Sequence, residues 1–401
     1  MQNLHRFLLL LLTGYAAALI PAAASAQERP SGDKPALAGK VIQVGPTREV
    51  RSLGRAAQIA RDGDVVEVDP GEYQADSAVW TQNDLVIRGV GERPRMVADG
   101  VNAAEGKGIF VVRGGSISLE NLAFSNARVA DRNGAGVRLD RGRLKVIRCA
   151  FDGNENGILT SNDAGSELHV FESTFMNNGA GDGHSHHLYA GAISKVHVTG
   201  SYFGPAQVGH LLKSRAKETS VYYSRLTGEG GTSSYEIDIP NGGRFKAIGN
   251  LVQQGNQTEN PVLISYGAEG YRWPDSHAYI AFNTLVNDRA AGGVFVAIRS
   301  GSAEATITNN VLVGRADIDS KVQAVIKGNT QARASDFADS AKFDYRLRLG
   351  SKIAGAAGPA GLFGKEDRPA SDYKHVANVD ALAGITDLTP LSPGAFQRLA
   401  R

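Results

Sequence analysis

A repeat constrains this sequence more than any single motif does. The segments Ile117–Phe124 (ISLENLAF), Leu144–Phe151 (LKVIRCAF), Leu168–Phe175 (LHVFESTF) and Val196–Phe203 (VHVTGSYF) are one pattern. It continues as Thr219–Leu226, Phe245–Val252, Ala278–Leu285 and Ala305–Leu312, with start-to-start spacings of 27, 24, 28, 23, 26, 33 and 27 residues. Each unit opens with period-two alternation, a strand signal, and closes with a bulky apolar residue after small or Asn-like residues, a bend. No unit carries a helical stripe. Short strands joined by Gly/Asn turns cannot bury an apolar face alone, so the units must stack on one another. Leucine-rich repeats share the period but not the Leu-x-x-Leu-x-Leu signature, and propeller blades need longer repeats. The expectation is an all-β chain, a right-handed parallel β-helix. A second strand follows each bend: 157–162, 187–191, 209–215, 235–240, 261–267 and 293–299. Coils stacked about 4.8 Å apart turn equivalent residues into ladders.

The ends differ from this middle. Arg6, the apolar run Phe7–Ile20 and the small-x-small site Ala24-Ser25-Ala26 read as an export signal over residues 1–26. Gly14 and Pro21 interrupt the run before the roughly twenty apolar residues a spanning helix needs. The expectation is an exported chain, periplasmic or secreted, with no membrane contact after cleavage. Cys149 is the sole cysteine, so no intrachain disulfide can form and stability must come from a large core. The 43 basic and 41 acidic residues leave no overall field to hold a nucleic acid. The β-helix domain is placed at 27–330. From 331 to 401 the repeat gives way to Ala, Gly, Asp and Pro, which is read as an irregular strap on a monomeric solenoid.

Leu53, Ala56, Ile59 and Ala60 recur at helical spacing before Asp62-Gly63-Asp64, and Val65–Tyr73 (VVEVDPGEY) and Asp84–Gly91 follow as strands. A short capping helix followed by DGDVVEVDPGEY resembles the N-terminus of the pectate-lyase-like β-helix superfamily. With the repeats, the resemblance covers about residues 40 to 330. Asp344–Gly358 is similar to the tail segment closing many secreted β-helix carbohydrate enzymes. The superfamily implies the fold; substrate has to be read from the site.

Polar residues gather in the second strands of four consecutive coils: Gly183–Tyr189, His210–Arg215, Glu236–Asp238, and Tyr266 with Glu269. Alternation sends Ile237 and Ile239 inward and Glu236 and Asp238 outward, and puts Lys213 and Arg215 on one face. Tyr189 then lies one coil before Lys213 and Asp238 one coil after it. Cleavage of a uronic-acid polymer by β-elimination needs the carboxylate neutralised, a base for the C5 proton and an acid for the leaving oxygen. Lys213 and Tyr189 supply base and acid in an order the sequence leaves open, and the planar fork of Arg215 suits a carboxylate. His186 and Asp238 complete the catalytic candidates. His184, His187, His210, Glu236, Tyr266, Glu269 and Trp273 are the substrate-binding candidates, Trp273 with Tyr271 as a stacking platform for a sugar ring.

Lys213-Ser214 on one coil, then Ile237–Gly243 (IDIPNGG) before Asn250, also resembles the alginate lyase and chondroitinase B family. There a Lys-Ser provides the base and an Arg-His-Gly on the next coil the acid. The lysine matches at Lys213, whereas Glu236 or Asp238 stands where that family has its arginine. The resulting expectation is a polysaccharide lyase acting on an acidic polysaccharide. Three alternatives stay open: a glycoside hydrolase using Glu236 and Asp238 as paired acids, a uronate epimerase, and a non-catalytic carbohydrate-binding protein. Calcium on Glu236 and Asp238 is the one cofactor left open. No fixed ligand spacing supports a transition metal at His184, His186 and His187. Asn121, Asn250, Asn283 and Asn310 read as an internal ladder or as turn formers.

Overall fold

The structure, a computed structural model, describes residues 39–98, 103–359, 370–372, 383–385 and 390–400. The proposed export signal lies outside them. Among the described residues no helix is long and apolar enough to cross a membrane.

Alternation makes the strands. In Arg143–Ile147, Leu144 and Val146 are buried while Arg143 and Lys145 are exposed, and Leu144 registers against Leu168, which registers against Val196. Each coil contributes one such strand to a first parallel sheet, turns a corner into a second, and bends again into a third. The sheets hold 12, 11 and 10 strands. They run from Val41–Val44 to Gln323–Lys327, from Glu72–Gln74 to Thr330–Ala332, and from Ala78–Trp80 to Ala316–Ser320. The chain is a right-handed parallel β-helix, the hand that parallel crossovers favour.

Identical side chains stack inside it. Phe124, Phe151, Phe175 and Phe203, one per coil of the second sheet, lie face to face with ring centres 5.3, 4.8 and 4.5 Å apart. The corner between first and second sheets is equally regular. The residue entering it takes a left-handed backbone in coil after coil, at Arg148 (φ 49°), Glu172 (48°), Tyr223 (48°) and Phe282 (54°). The next residue points inward and accepts a hydrogen bond from the backbone N–H of its counterpart one coil earlier. The series runs Cys149 to Ser173, Ser201, Ser224, Asn250, Asn283, Asn310 and Asn329, each bond 2.9–3.2 Å. Buried corner amides thus find partners that no sheet supplies. Asn250, Asn283 and Asn310 belong to this ladder. Asn121 does not: it occupies the left-handed position (φ 52°) and donates to Gly89 O.

The helix Leu53–Ile59 covers the first coil. Ser52 caps it by accepting from the Arg55 N–H, Asp76 accepts from the N–H groups of Leu53 and Gly54, and Leu53 and Ala56 are buried. A strand not read from the sequence, Val41–Val44, precedes it. Beyond Ala332 the chain leaves the stack in an antiparallel pair, Phe337–Asp339 with Asp344–Leu347. Phe337, Tyr345, Leu347, Ile353 and Phe396 cluster with Leu251, Val286 and Val311. Gly394 N–H donates to Asn309 O and Ala395 N–H to Thr284 Oγ1, which fixes this segment along the second sheet.

Candidate functional site

Strand pairing in the third sheet aligns Leu159 with Tyr189, Tyr189 with Lys213, Lys213 with Asp238 and Asp238 with Ser265. Leu188, Leu212, Ile237 and Ile264, the residues just before the last four, face the core. The row Tyr189–Lys213–Asp238 therefore faces out.

One residue further back the alternation fails. The chain enters this sheet through a bend, so two consecutive residues turn inward, as the core pairs Leu211-Leu212 and Leu263-Ile264 do. Glu236 holds the corresponding place and is fully buried, within 3.5 Å of Ser233 Oγ and Gln254 Nε2. Burial pushes its carboxyl well above the ordinary range, against the opposing pull of Ser233, Arg289 and Gln254. Alternation led us to expect Glu236 on one outward face with Asp238; instead it points into the core, away from the outward row that holds Asp238. His187 is buried the same way, accepting from Asn178 Nδ2 at Nδ1 and donating from Nε2 to Gly204 O (2.9 Å each). Burial lowers its ring to about 4. Tyr266 also lies in the core, its hydroxyl donating to Gly243 O at 2.6 Å. These three are removed from the wall.

The remaining candidates converge. Lys213 Nζ lies 3.3 Å from Asp238 Oδ2 and 3.5 Å from Glu269 Oε1, with its side chain 13 % exposed. Asp238 is 3 % exposed behind it, and its other oxygen, Oδ1, is buried without a hydrogen-bond partner among the described residues. Burial raises the Asp238 carboxyl, Lys213 opposing. His210 Nε2 faces Asp238 Oδ2 at 3.6 Å. The Nδ1 of His210 accepts the Tyr235 backbone N–H, and that of His186 accepts the His210 backbone N–H, so in both neutral rings the proton sits on Nε2. Burial holds His210 down at about 3 and His186 well below its ordinary value. The His186 and His210 rings stack at 4.6 Å, the Tyr235 ring lies 4.9 Å from that of His210 and tilted to it by 46°, and His186 meets Tyr189 edge-on at 5.3 Å. In this column the two histidines are buried and Tyr235 is half-buried. Tyr235 was missed, although its signal is legible: each ring stands three residues before Tyr189, Lys213 or Asp238.

Arg215 Nε–H donates to the Tyr189 hydroxyl oxygen at 2.9 Å. Its two terminal nitrogens grip Glu269 at 2.6 and 2.9 Å, and one also reaches Asn241 Oδ1, a second residue the sequence did not single out. The expected clamp is thus already holding a carboxylate. The Arg215 bond keeps the Glu269 carboxyl below its ordinary range, yet the side chain stays 48 % exposed. Its loop turns on Gly267 (φ 79°), where any Cβ would strike the Tyr271 ring. Trp273 Nε1–H donates to Arg215 O at 3.1 Å and Tyr271 donates to Arg299 O, so these aromatics pin the loop and are not an open platform. His184 is exposed at the rim of a cavity that Tyr189 also lines. Among the described residues no three His, Cys, Asp or Glu side chains are grouped to hold a metal ion.

No family model matches the sequence. Pectate lyase Pel9A superposes with a TM-score of 0.59 over 90% of this chain and 96% of its own, at 13% identity. The PL6 family alginate lyase AlyGC gives a TM-score of 0.41 at 17% identity, over 73% of this chain and 40% of its own length. The comparison with Pel9A, together with the three stacked sheets, shows that this chain has a parallel β-helix fold similar to that of this pectate lyase.

Proposed function

We propose that the chain cleaves a uronic-acid-containing polysaccharide by β-elimination along the outer face of the third sheet. One observation carries this reading: an exposed carboxylate, Glu269, is shared by Lys213 and Arg215 directly beside a tyrosine hydroxyl. A sugar carboxylate that takes the place of Glu269 meets the same donors, with the planar fork of Arg215 matching both its oxygens. Neutralising it makes the C5 proton acidic. Tyr189 receives that proton, because the Arg215 Nε–H directed at its oxygen meets the negative charge the base must carry. The C5–H electrons form the C4=C5 double bond and the C4–O bond breaks. Lys213, 6.0 Å from the Tyr189 ring centre and backed by Asp238, delivers a proton to the departing oxygen. His186, His210 and Tyr235 keep this pair in register. The fold shared with pectate lyase Pel9A agrees with an acidic glycan as substrate. The hydrolase alternative loses its acid pair with Glu236 in the core.

The test is incubation with alginate, pectate, glycosaminoglycans and bacterial exopolysaccharides. New ultraviolet absorbance from an unsaturated chain end is the expected result. New reducing ends without absorbance would replace elimination by hydrolysis, and altered uronate composition without shortening would indicate epimerisation.

A further inference from the structure

Beside Tyr189, on the side away from Lys213, the groove deepens into a cavity of about 240 Å³ bordered by Asn133, Arg138, Asn156, Asn162, His184 and Tyr189. Arg138 stands in the same outward row as the catalytic candidates, registered against Leu159 and so two coils before Tyr189. Two coil spacings place it about 10 Å from the Tyr189 backbone.

The donor and acceptor inventory of the rim is one-sided. Asn162 Oδ1 accepts the Ala192 N–H and Asn156 Oδ1 accepts the His186 N–H, both at 2.9 Å. A backbone N–H can only donate, so both amides are oriented with their NH₂ groups left over. Arg138 bonds only through Nε, to Asp140 Oδ1 at 3.2 Å, and its two terminal nitrogens make no protein hydrogen bond among the described residues. Asp140 does not neutralise it alone, since Lys107 Nζ and Arg113 Nε share that carboxylate at 3.2 and 2.9 Å. Glu105, the other carboxylate of the cluster, is bound by Arg113 and Lys107. Three cations face two anions here, so the cluster keeps a positive surplus. A rim of unspent N–H donors with net positive charge recognises an acceptor-rich anion. A guanidinium with both terminal nitrogens free matches a planar carboxylate.

We propose that Arg138, with Asn162 and Asn156, forms a subsite for the carboxylate of a second uronate in the same polysaccharide chain, further along the groove from the sugar at Tyr189. The subsite makes the protein a reader of consecutive acidic units and favours polymer over short fragments. It rests on the proposed use of the groove for an acidic glycan, though not on the reaction performed there.

Binding is read as retardation in native gels cast with alginate, pectate, dextran sulfate or dextran, and turnover as KM on polymer against KM on the shortest fragment cut. Arg138→Gln should lose most retardation by alginate and pectate, and should raise KM on polymer about tenfold more than on the short fragment, as expected for one charged hydrogen-bonded contact. Arg138→Lys should recover part of the retardation. Asn162→Asp, which keeps the acceptor for Ala192 but adds a negative charge, should weaken retardation as well, and it provides an independent reading if Arg138→Gln does not fold. Parental retardation and polymer KM in Arg138→Gln would overturn the subsite, as would equal losses on polymer and short fragment, or equal retardation by dextran sulfate. If no unsaturated product forms but retardation still depends on Arg138, the elimination reading falls and the subsite stands.

Discussion

Replacing Glu236 by Gln should change how stability depends on pH, and the size of the change follows from its place in the core. The side chain is fully buried and burial raises its carboxyl well above the ordinary value of 4.5. The folded chain therefore keeps this proton at pH values where the unfolded chain has released it. A raised folded pKa contributes its full stability below 4.5 and loses it as pH rises toward the folded value. The loss is about 1.4 kcal/mol for each pH unit between the ordinary and the folded value. Glutamine has nearly the same shape and does not titrate. Melting temperatures of parent and Glu236→Gln, measured at half-unit steps from pH 4 to 8, should nearly coincide at the acid end and separate upward, with the variant more stable. A gap that stays constant or closes with pH would show that Glu236 is ionised in the folded protein, paired with Arg289, and would refute the reasoning. The variant should also keep turnover, because its side chain does not reach the groove; abolished turnover would restore Glu236 as a catalytic acid.

Lys213→Ala should lower turnover roughly a hundredfold to ten-thousandfold, and should also lower the melting temperature, because it leaves the buried Asp238 carboxylate without its cation. Ile237→Ala should cost about 2–5 kcal/mol of stability through the cavity it leaves; turnover and melting temperature followed together separate the two variants. His187→Gln should flatten the acid side of the stability profile. With a folded value of about 4 against the ordinary 6.5, the parent's contribution is complete above pH 6.5 and declines as pH falls toward 4. That amounts to about 2 kcal/mol by pH 5, and a variant as acid-sensitive as the parent would contradict it. Tyr189→Phe should lose kcat and retain most retardation by polymer, and a parental rate would remove Tyr189 from the reaction.

The fold was readable because a solenoid repeats its physics: the same alternation, the same bulky residue after the bend and the same corner return in every coil. The row Tyr189–Lys213–Asp238 was readable for the same reason, since aligning repeats is equivalent to pairing strands. Glu236 and His187 were misplaced because strict alternation does not survive the bend into the third sheet, where two residues in succession face the core, whereas Tyr266 obeys the alternation, pointing inward with Ile264 and in register with Ile239, and was misplaced because the rule was not carried into its strand. The grip of Glu269 on Arg215 spans 54 residues and depends on how one loop folds back, which no period encodes. The Arg138 cavity was also invisible, because its amides acquire their donor character only from which backbone N–H groups they already satisfy.

The hydrogen-bonded corner between the first and second sheets sets what can change in this molecule. Its rungs are separated by 24, 28, 23, 26, 33, 27 and 19 residues, yet every bond has nearly the same length. All the surplus chain is taken up elsewhere, in the connections that enter and leave the third sheet beside the groove. The corner acts as a spine and those connections as free margins. An insertion at the spine breaks contacts with the coils above and below it. The same insertion at a margin, such as the loop carrying Glu269, reshapes the groove while leaving the stack intact, so new specificities on this scaffold should be sought by grafting loops there.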